Sequence, residues 1–436
     1  MDPSAPMKDS GVPWISTYPD VWESRSVGSL FRITKRIVGR TGYEVISITQ
    51  DGLKIKDIES NNGQLSQDYS KYQLVEPGDF AMNQMDLQTG YIGLSDFEGV
   101  TSPDYRVFTP VSSDIDSQFA LYVFQTAYNQ GYFYGLGQGV STKGRWRLPR
   151  EQFLDFRIPI PPSDEQVRIV ETLDRVCSRI DDFISIGRRC IADLEDARRS
   201  IITETVTRGL DPDAPMRDSG IPWIGEIPAG WKLVRLKDLG ELYSGGVDKK
   251  IRENEPCFRS IHYMDVYSHM MDNLHDSPDY LVVSCSKSKA NRCRVQSGDI
   301  LFTTSSESPE DIGRSAVVCD DMNDVVFGYH LIRFRPSNAI YPQFGKYLFS
   351  SDAFRQWICN HANGVTRYGV DNESFSIAPI ALPPSDEQVR IVETLDRVCS
   401  RIDDFISIGR RCIADLEDAR RSIVYEYVTG KRAVVR

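Results

Sequence analysis

The chain is short of several things. Its nine cysteines are an odd number with no C-x-x-C pair, so neither a disulfide framework nor a paired-thiol site is indicated. Four of them (Cys177, Cys190, Cys399 and Cys412) fall in helical patterns and read as reduced, core-lining thiols. No apolar run approaches the roughly 20 residues of a membrane span. The start, Met1 to Pro6, has neither the basic opening nor the apolar stretch of a secretion signal; the expected location is the cytoplasm. Histidine is scarce: His262, His269, His275, His330 and His361 show no metal-ligand spacing, and no metal is expected. There is no Gly-x-Ser-x-Gly elbow, no Gly-Lys-Ser/Thr phosphate loop, and neither an Asn-Pro-Pro-Tyr pocket nor a Phe-x-Gly-x-Gly loop of a methyltransferase. No catalytic residue is assigned, and together these absences favour a binding protein over an enzyme.

Positive charge is also in deficit. The net charge of −11 argues against a nucleic-acid binder that works by bulk charge. The deficit is uneven. Residues 163–231 carry 9 basic and 14 acidic side chains, whereas residues 232–382 carry 17 and 19. Local basic loops remain compatible with that distribution.

What the sequence has is repetition. Residues 161–201 and 383–423 are identical. Asp2–Ile15 returns with small changes as Asp211–Ile224. The order is opening segment, variable block, long repeat, then the same three again. The expected division is 1–162, a first domain; 163–209, a first long helix; 210–382, a second domain; and 383–436, a second long helix with a tail.

The long repeat follows a proline run and starts at Ser163. Gln166 stands where the reciprocal half of a capping box belongs, and Asp164 and Glu165 suit the helix dipole. Val170, Leu173, Cys177, Ile180, Ile184, Gly187, Ile191, Leu194, Arg198 and Ile201 alternate at three and four, a heptad seam. Ile169, Val176, Phe183, Cys190 and Ala197 widen it. Each helix pairs with the other, antiparallel, or else packs on its own domain. Arg188, Arg189, Arg198 and Arg199, with their copies Arg410, Arg411, Arg420 and Arg421, are repeated unchanged. Either a recent duplication copied everything, or both helices show one surface to two copies of one partner.

The variable blocks share a frame. Pro77–Gln84 answers to Ser297–Thr304, and Tyr91–Leu94 to Asp311–Arg314, short strands around Gly-Asp turns. Phe119–Phe124 and Phe344–Phe349 look like short amphipathic helices. Block one ends in a glycine-rich loop with aromatics before it and Ser141, Thr142, Lys143, Arg145 and Arg147 in it. Block two has a counterpart at the same distance from its repeat, with Thr366, Arg367 and Tyr368. Glycine lets backbone approach a phosphate, and arginine forks onto phosphate or guanine. Asn83, Gln84 and Thr304, at the ends of the shared strands, complete the candidate DNA-binding set.

These parts resemble the specificity subunit of Type I restriction–modification systems. Asp218–Trp231 is similar to the segment that opens its target-recognition domains, and Ile158–Gln166 to the proline-to-helix start of its spacer. Gly78-Asp79 and Ser102–Tyr105 also look like family positions. Departures are Ile15–Pro19 in the first opening segment, and the lack of a clear Ser-Pro-Asp-Tyr in block two. The resemblance implies an α+β fold with two mixed α/β target-recognition domains in pseudo-twofold arrangement, joined by two long helices forming an antiparallel coiled coil. It implies double-stranded DNA with a bipartite target as ligand, and two methyltransferase subunits and restriction subunits as partners. It places S-adenosylmethionine, ATP and Mg on those partners, with no cofactor on this chain. The rival readings are the specificity part of a Type II-like system and a two-headed coiled-coil adaptor that binds proteins.

Overall fold

Short strands between glycine-bearing turns build the first block; the central ones are buried on both faces, and the core between them is strongly aromatic. The computed structural model describes residues 6–50, 52–57, 69–88, 90–139, 146–268 and 273–434. Contacts divide the chain into two units, residues 1–188 with 411–436, and residues 189–410. Both mix helices and strands, an α+β fold.

In the first unit β1 (Phe31–Thr34), β2 (Phe80–Met82), β3 (Ile92–Leu94) and β4 (Arg106–Pro110) form an antiparallel sheet in the order β1-β4-β2-β3. Helix α1 (Ser117–Asn129) starts where the Asp116 carboxylate accepts the Phe119 amide at 2.8 Å, a side-chain cap. It lays Phe119, Val123 and Phe124 on the core. Phe80 stacks on Phe108 at 5.1 Å, and Phe124 meets Phe31, Phe80 and Phe108 edge-on at 5.3–5.7 Å. Burying each such ring is worth about 2–3 kcal/mol.

In the second unit β5 (Gly240–Tyr243), β6 (Asn273–Leu274), β7 (Ile300–Thr303), β8 (Ser315–Val318) and β9 (Leu331–Pro336) run in the order β5-β9-β7-β8-β6. Helix α2 (Pro342–Ser350) puts Phe344, Leu348 and Phe349 into the core. The Gly-Asp turns match. Gly78 and Gly298 have φ near +90° (90° and 88°), and the carboxylates of Asp79 and Asp299 accept the amides of Glu76 and Gln296 at 2.8 Å. The third shared strand does not match as its sequence suggests. Ile92–Leu94 corresponds to Ser315–Val317, three residues beyond Ile312–Arg314, because Phe80 faces Leu94 and Ile300 faces Val317. The connection before it is longer in block two, and the shared Ile-Gly pair conceals this.

The first long helix is Ser163–Arg208 and the second Ser385–Val428. In the first unit Leu173 and Cys177 share a core with Val424 and Val428. Arg188 pairs with Glu417 at 3.0 Å, and Arg420 with Asp181 at 2.9 Å. In the second unit Arg410 pairs with Glu195 at 2.9 Å and Arg198 with Asp403 at 3.1 Å. Within each unit the helices are therefore antiparallel. Gly187 lies under Ile413, and Gly409 under Ile191.

Three sequence readings are corrected here. Gln166 does not close a capping box: its amide nitrogen donates to the carbonyls of Asp114 (2.8 Å) and Pro161 (2.9 Å), and its oxygen accepts the Asp116 amide (2.7 Å). Gln388 does the same to Ala339, Pro383 and Tyr341. Cys190 and Cys412 are exposed rather than core-lining. Phe183, expected to widen the apolar stripe, is 58% exposed. Among the described residues no helix is long and apolar enough to cross a membrane, and no cluster could hold a metal ion.

Candidate nucleic-acid interface

Strand direction gathers the candidate residues. In the first unit Thr34 lies opposite Val107, and Met82 opposite both Arg106 and Ile92, so the segments after β1 and β2 leave from one end of the sheet. The Gln84 carbonyl there accepts the Leu148 amide at 3.0 Å, and buried Arg106 donates to the Leu148 carbonyl at 2.9 Å. Just before Leu148, Arg147 and Gln138 exchange backbone hydrogen bonds of 2.8 and 3.0 Å, closing a hairpin stem. The Trp146 ring stacks on Tyr134 at 5.5 Å, and its N–H donates to the Tyr134 carbonyl at 2.7 Å. A Cβ on Gly137 would come within 2.3 Å of that indole, so glycine is required beneath it. Arg147 is exposed. Burial, then the charges of Arg147 and Arg150, push the Arg106 guanidinium down to about 10. The stem thus concentrates positive charge.

The second unit repeats the plan with other residues. Tyr243 faces Arg333, Thr303 faces Leu331, and Phe302 faces Ser315. The Thr304 carbonyl accepts the Val370 amide at 3.0 Å, as Gln84 accepts Leu148. Asn363–Gly364 pairs with Tyr368–Gly369, which also pairs with Ser305–Ser306. The hairpin tip, Val365 to Arg367, is exposed, Val365 at 89%. Around it stand Lys249, exposed Tyr329, half-buried His330, the stacked pair Tyr263 and Tyr267 (5.3 Å), and Arg314 over Tyr267 (4.9 Å). Burial, then Arg367 and Lys249, push His330 below the ordinary histidine value.

The sequence candidates fall into distinct places. Ser141, Thr142, Lys143 and Arg145 lie outside the described residues. Arg147, Thr366 and Arg367 are exposed and Tyr368 is half-buried. Asn83, Gln84 and Thr304 hold backbone: Asn83 accepts the Met85 amide (3.1 Å), buried Gln84 donates to the Asp104 carbonyl (2.8 Å), and the Thr304 hydroxyl donates to the His330 carbonyl (3.0 Å). Of the eight arginines, Arg188, Arg198, Arg410 and Arg420 pair with the facing helix. Arg199 and Arg421 pair with Asp196 and Asp418 of their own helices. Arg189 and Arg411 are exposed, with no ion pair among the described residues.

The sequence candidates did not include Trp146, Arg106, Lys249, Tyr329 or His330, and Tyr134 entered only as one of the aromatics before the loop. Their signal was aromatics interleaved with cations near the strand ends. Sequence reasoning also missed a repeated apolar surface. Phe183 and Ile186 are 58% and 47% exposed, and their copies Phe405 and Ile408 are 59% and 47% exposed. A stripe too wide for one seam was the available sign.

The profile described as "Type I restriction modification DNA specificity domain" matches residues 19–185 and 228–408. The chain is 25% identical over 296 residues, 67% of its length, to the Type I restriction enzyme MjaVIII specificity subunit of Methanocaldococcus jannaschii. It is 22% identical over 304 residues, 63% of its length, to the EcoKI specificity subunit of Escherichia coli K12. The alignments span only 66% and 58% of those relatives. A solved structure described under "Structural basis underlying complex assembly and conformational transition of the type I R-M system" superimposes with a TM-score of 0.71. It has 15% identity over 95% of this chain and 99% of that one, and so shares the fold.

Proposed function

The chain belongs to the family of Type I restriction modification DNA specificity domains, and on that premise we propose that it is a non-catalytic, cytoplasmic specificity subunit in which each unit reads one half of a bipartite DNA target. One observation carries the reading. Two blocks of unlike sequence present the same end of a similar sheet, each with a hairpin tied just past a sheet strand, Leu148 on Gln84 (two residues past β2) and Val370 on Thr304 (one past β7). A common frame with different exposed side chains is what two different half-sites require.

The chemistry follows from the groups present. A hairpin can enter a major groove, where each base pair shows its own donor and acceptor pattern. Arg147 and Arg367 can fork onto guanine or bind phosphate, and phosphate contacts fix register without reading sequence. Lys143 and Arg145, beside Arg147 in sequence, are assigned the same task. The long helices set the spacer: 46 residues at 1.5 Å rise is about 69 Å, ample for half-sites about one helical turn, ~34 Å, apart. One methyltransferase subunit docks on each helix through Phe183 with Ile186 or Phe405 with Ile408, and restriction subunits join for cleavage. S-adenosylmethionine, ATP and Mg are held by those partners.

Methylome sequencing of the host with and without this gene tests the reading. Loss of one bipartite methylated motif is the expected result. A methylome identical in both strains would overturn it.

A further inference from the structure

We propose that His330 is a specificity-determining residue of the second unit, and that Thr304 is the positioning residue that holds it beside Arg367. This rests on the DNA-reading function proposed above.

Thr304 makes three hydrogen bonds that tie two separate pieces together. Its amide and its hydroxyl both donate to the His330 carbonyl, at 3.2 and 3.0 Å. Its carbonyl accepts the Val370 amide at 3.0 Å, at the foot of the hairpin that carries Arg367. One residue past β7 therefore fixes the distance between the His330 turn and the hairpin. Gln84 makes only the second of these ties, since its side chain goes to Asp104. The arrangement is peculiar to block two, as a device for reading a different half-site would be.

The His330 ring is available. It is half-buried and leans on Tyr329, with ring centroids 3.8 Å apart. No hydrogen bond reaches either ring nitrogen among the described residues. The charged and titratable groups facing it are Arg367, Lys249 and buried His262. Burial and the two cations favour the neutral ring. A neutral imidazole donates at one nitrogen and accepts at the other, which matches the mixed pattern of a base edge in the major groove. Arg367 and Lys249 can serve only acceptors, such as phosphate oxygens or guanine. Unlike these two cations, His330 can meet a donor as well as an acceptor.

Selection of bound duplexes from a random-sequence library tests this, using the full chain purified with the subunits that accompany it. Wild type is expected to enrich one bipartite motif. His330→Ala should lose preference roughly tenfold at one or two adjacent positions of a single half-site, leaving the other half-site intact. Thr304→Val, which loses the hydroxyl bond and keeps the amide one, should weaken the same preference, and Thr304→Ser should restore the motif. Lowering the pH below the ordinary histidine range should change the preferred base for wild type but not for His330→Asn. If wild type enriches a motif and both His330→Ala and Thr304→Val enrich it unchanged, the proposal is wrong and the DNA reading stands. If the variants melt lower and lose both half-sites equally, the residues are structural and the proposal is wrong. If wild type enriches no motif, both fall together.

Discussion

His262 shows how a single buried group makes the second unit sensitive to acid. Burial, then the nearby Lys249, push its imidazole down to about 4. An unfolded chain protonates histidine near 6.5. Between these values the unfolded state binds more protons, so stability is full above the unfolded value and is lost as pH falls toward the folded one. Thermal unfolding followed by circular dichroism should show a lower midpoint at acid pH, and His262→Gln should weaken that dependence. An equal dependence in the variant would count against this account. If the hairpins bind DNA as proposed, their charge is what the next variants test. Arg147→Ala and Arg367→Ala should each weaken DNA binding. A residue that touches only phosphate should also reduce the salt slope by about one, with the preferred sequence unchanged. Titrations at several salt concentrations distinguish that case from a base contact. The arginines beside glycines could be picked out of the sequence because their chemistry is local. His330 and Lys249 could not, since they reach the site only through strand pairings between distant segments.

The long helices divide residues into those that hold and those that show. Leu173 and Leu395 are fully buried at the same place in the two repeats. Truncating Leu173 to alanine should cost about 2–5 kcal/mol, measured by denaturant unfolding. Phe183→Asp combined with Phe405→Asp should lower the unfolding midpoint far less than Leu173→Ala, because both side chains are more than half exposed. The same double variant should fail to co-purify with the methyltransferase subunits. Retained co-purification would remove these residues from the docking surface. Much of this element was legible: the heptad seam, the place of Gly187 on it and the proline start follow from spacing, whereas the isoleucines that meet the glycines do not. The orientation of the wider stripe was not, because Phe183 and Ile169 recur at the same seven-residue interval and spacing does not say which one meets protein. Nor was the role of Gln166, whose partners near residue 114 are remote in sequence. The displaced third strand was hidden because strand register depends on cross-strand pairing, which a shared dipeptide does not encode.

For the whole chain, the proposed spacing role predicts that removing one heptad from both long helices changes the length of DNA between the half-sites. Methylome sequencing of a host carrying the shortened gene reads this directly, and an unaltered spacer would refute the role. The overall charge of −11 predicts that the chain alone grips DNA weakly, and that binding tightens once partner subunits add cationic surface. Gel-shift titration with and without those subunits is the check. One arrangement reaches further. Each block is fastened at matching points: Trp22 to Glu165 and Trp231 to Glu387 through the indole N–H (3.1 and 3.0 Å), the two glutamines, and Tyr122 to Asp174 or Tyr347 to Asp396. Glutamate, glutamine and aspartate all come from the identical repeats, and the tryptophans flank the blocks. To these polar ties a block contributes a tyrosine on one helix and the backbone groups of one loop, and the same block helix shares a core with Leu173 or Leu395. The framework is in effect a bayonet fitting. A foreign block with that tyrosine, that loop and an apolar helix face for Leu173 or Leu395 should seat in either half, so the proposed target would be re-specified by exchange of parts while the mounting stays the same.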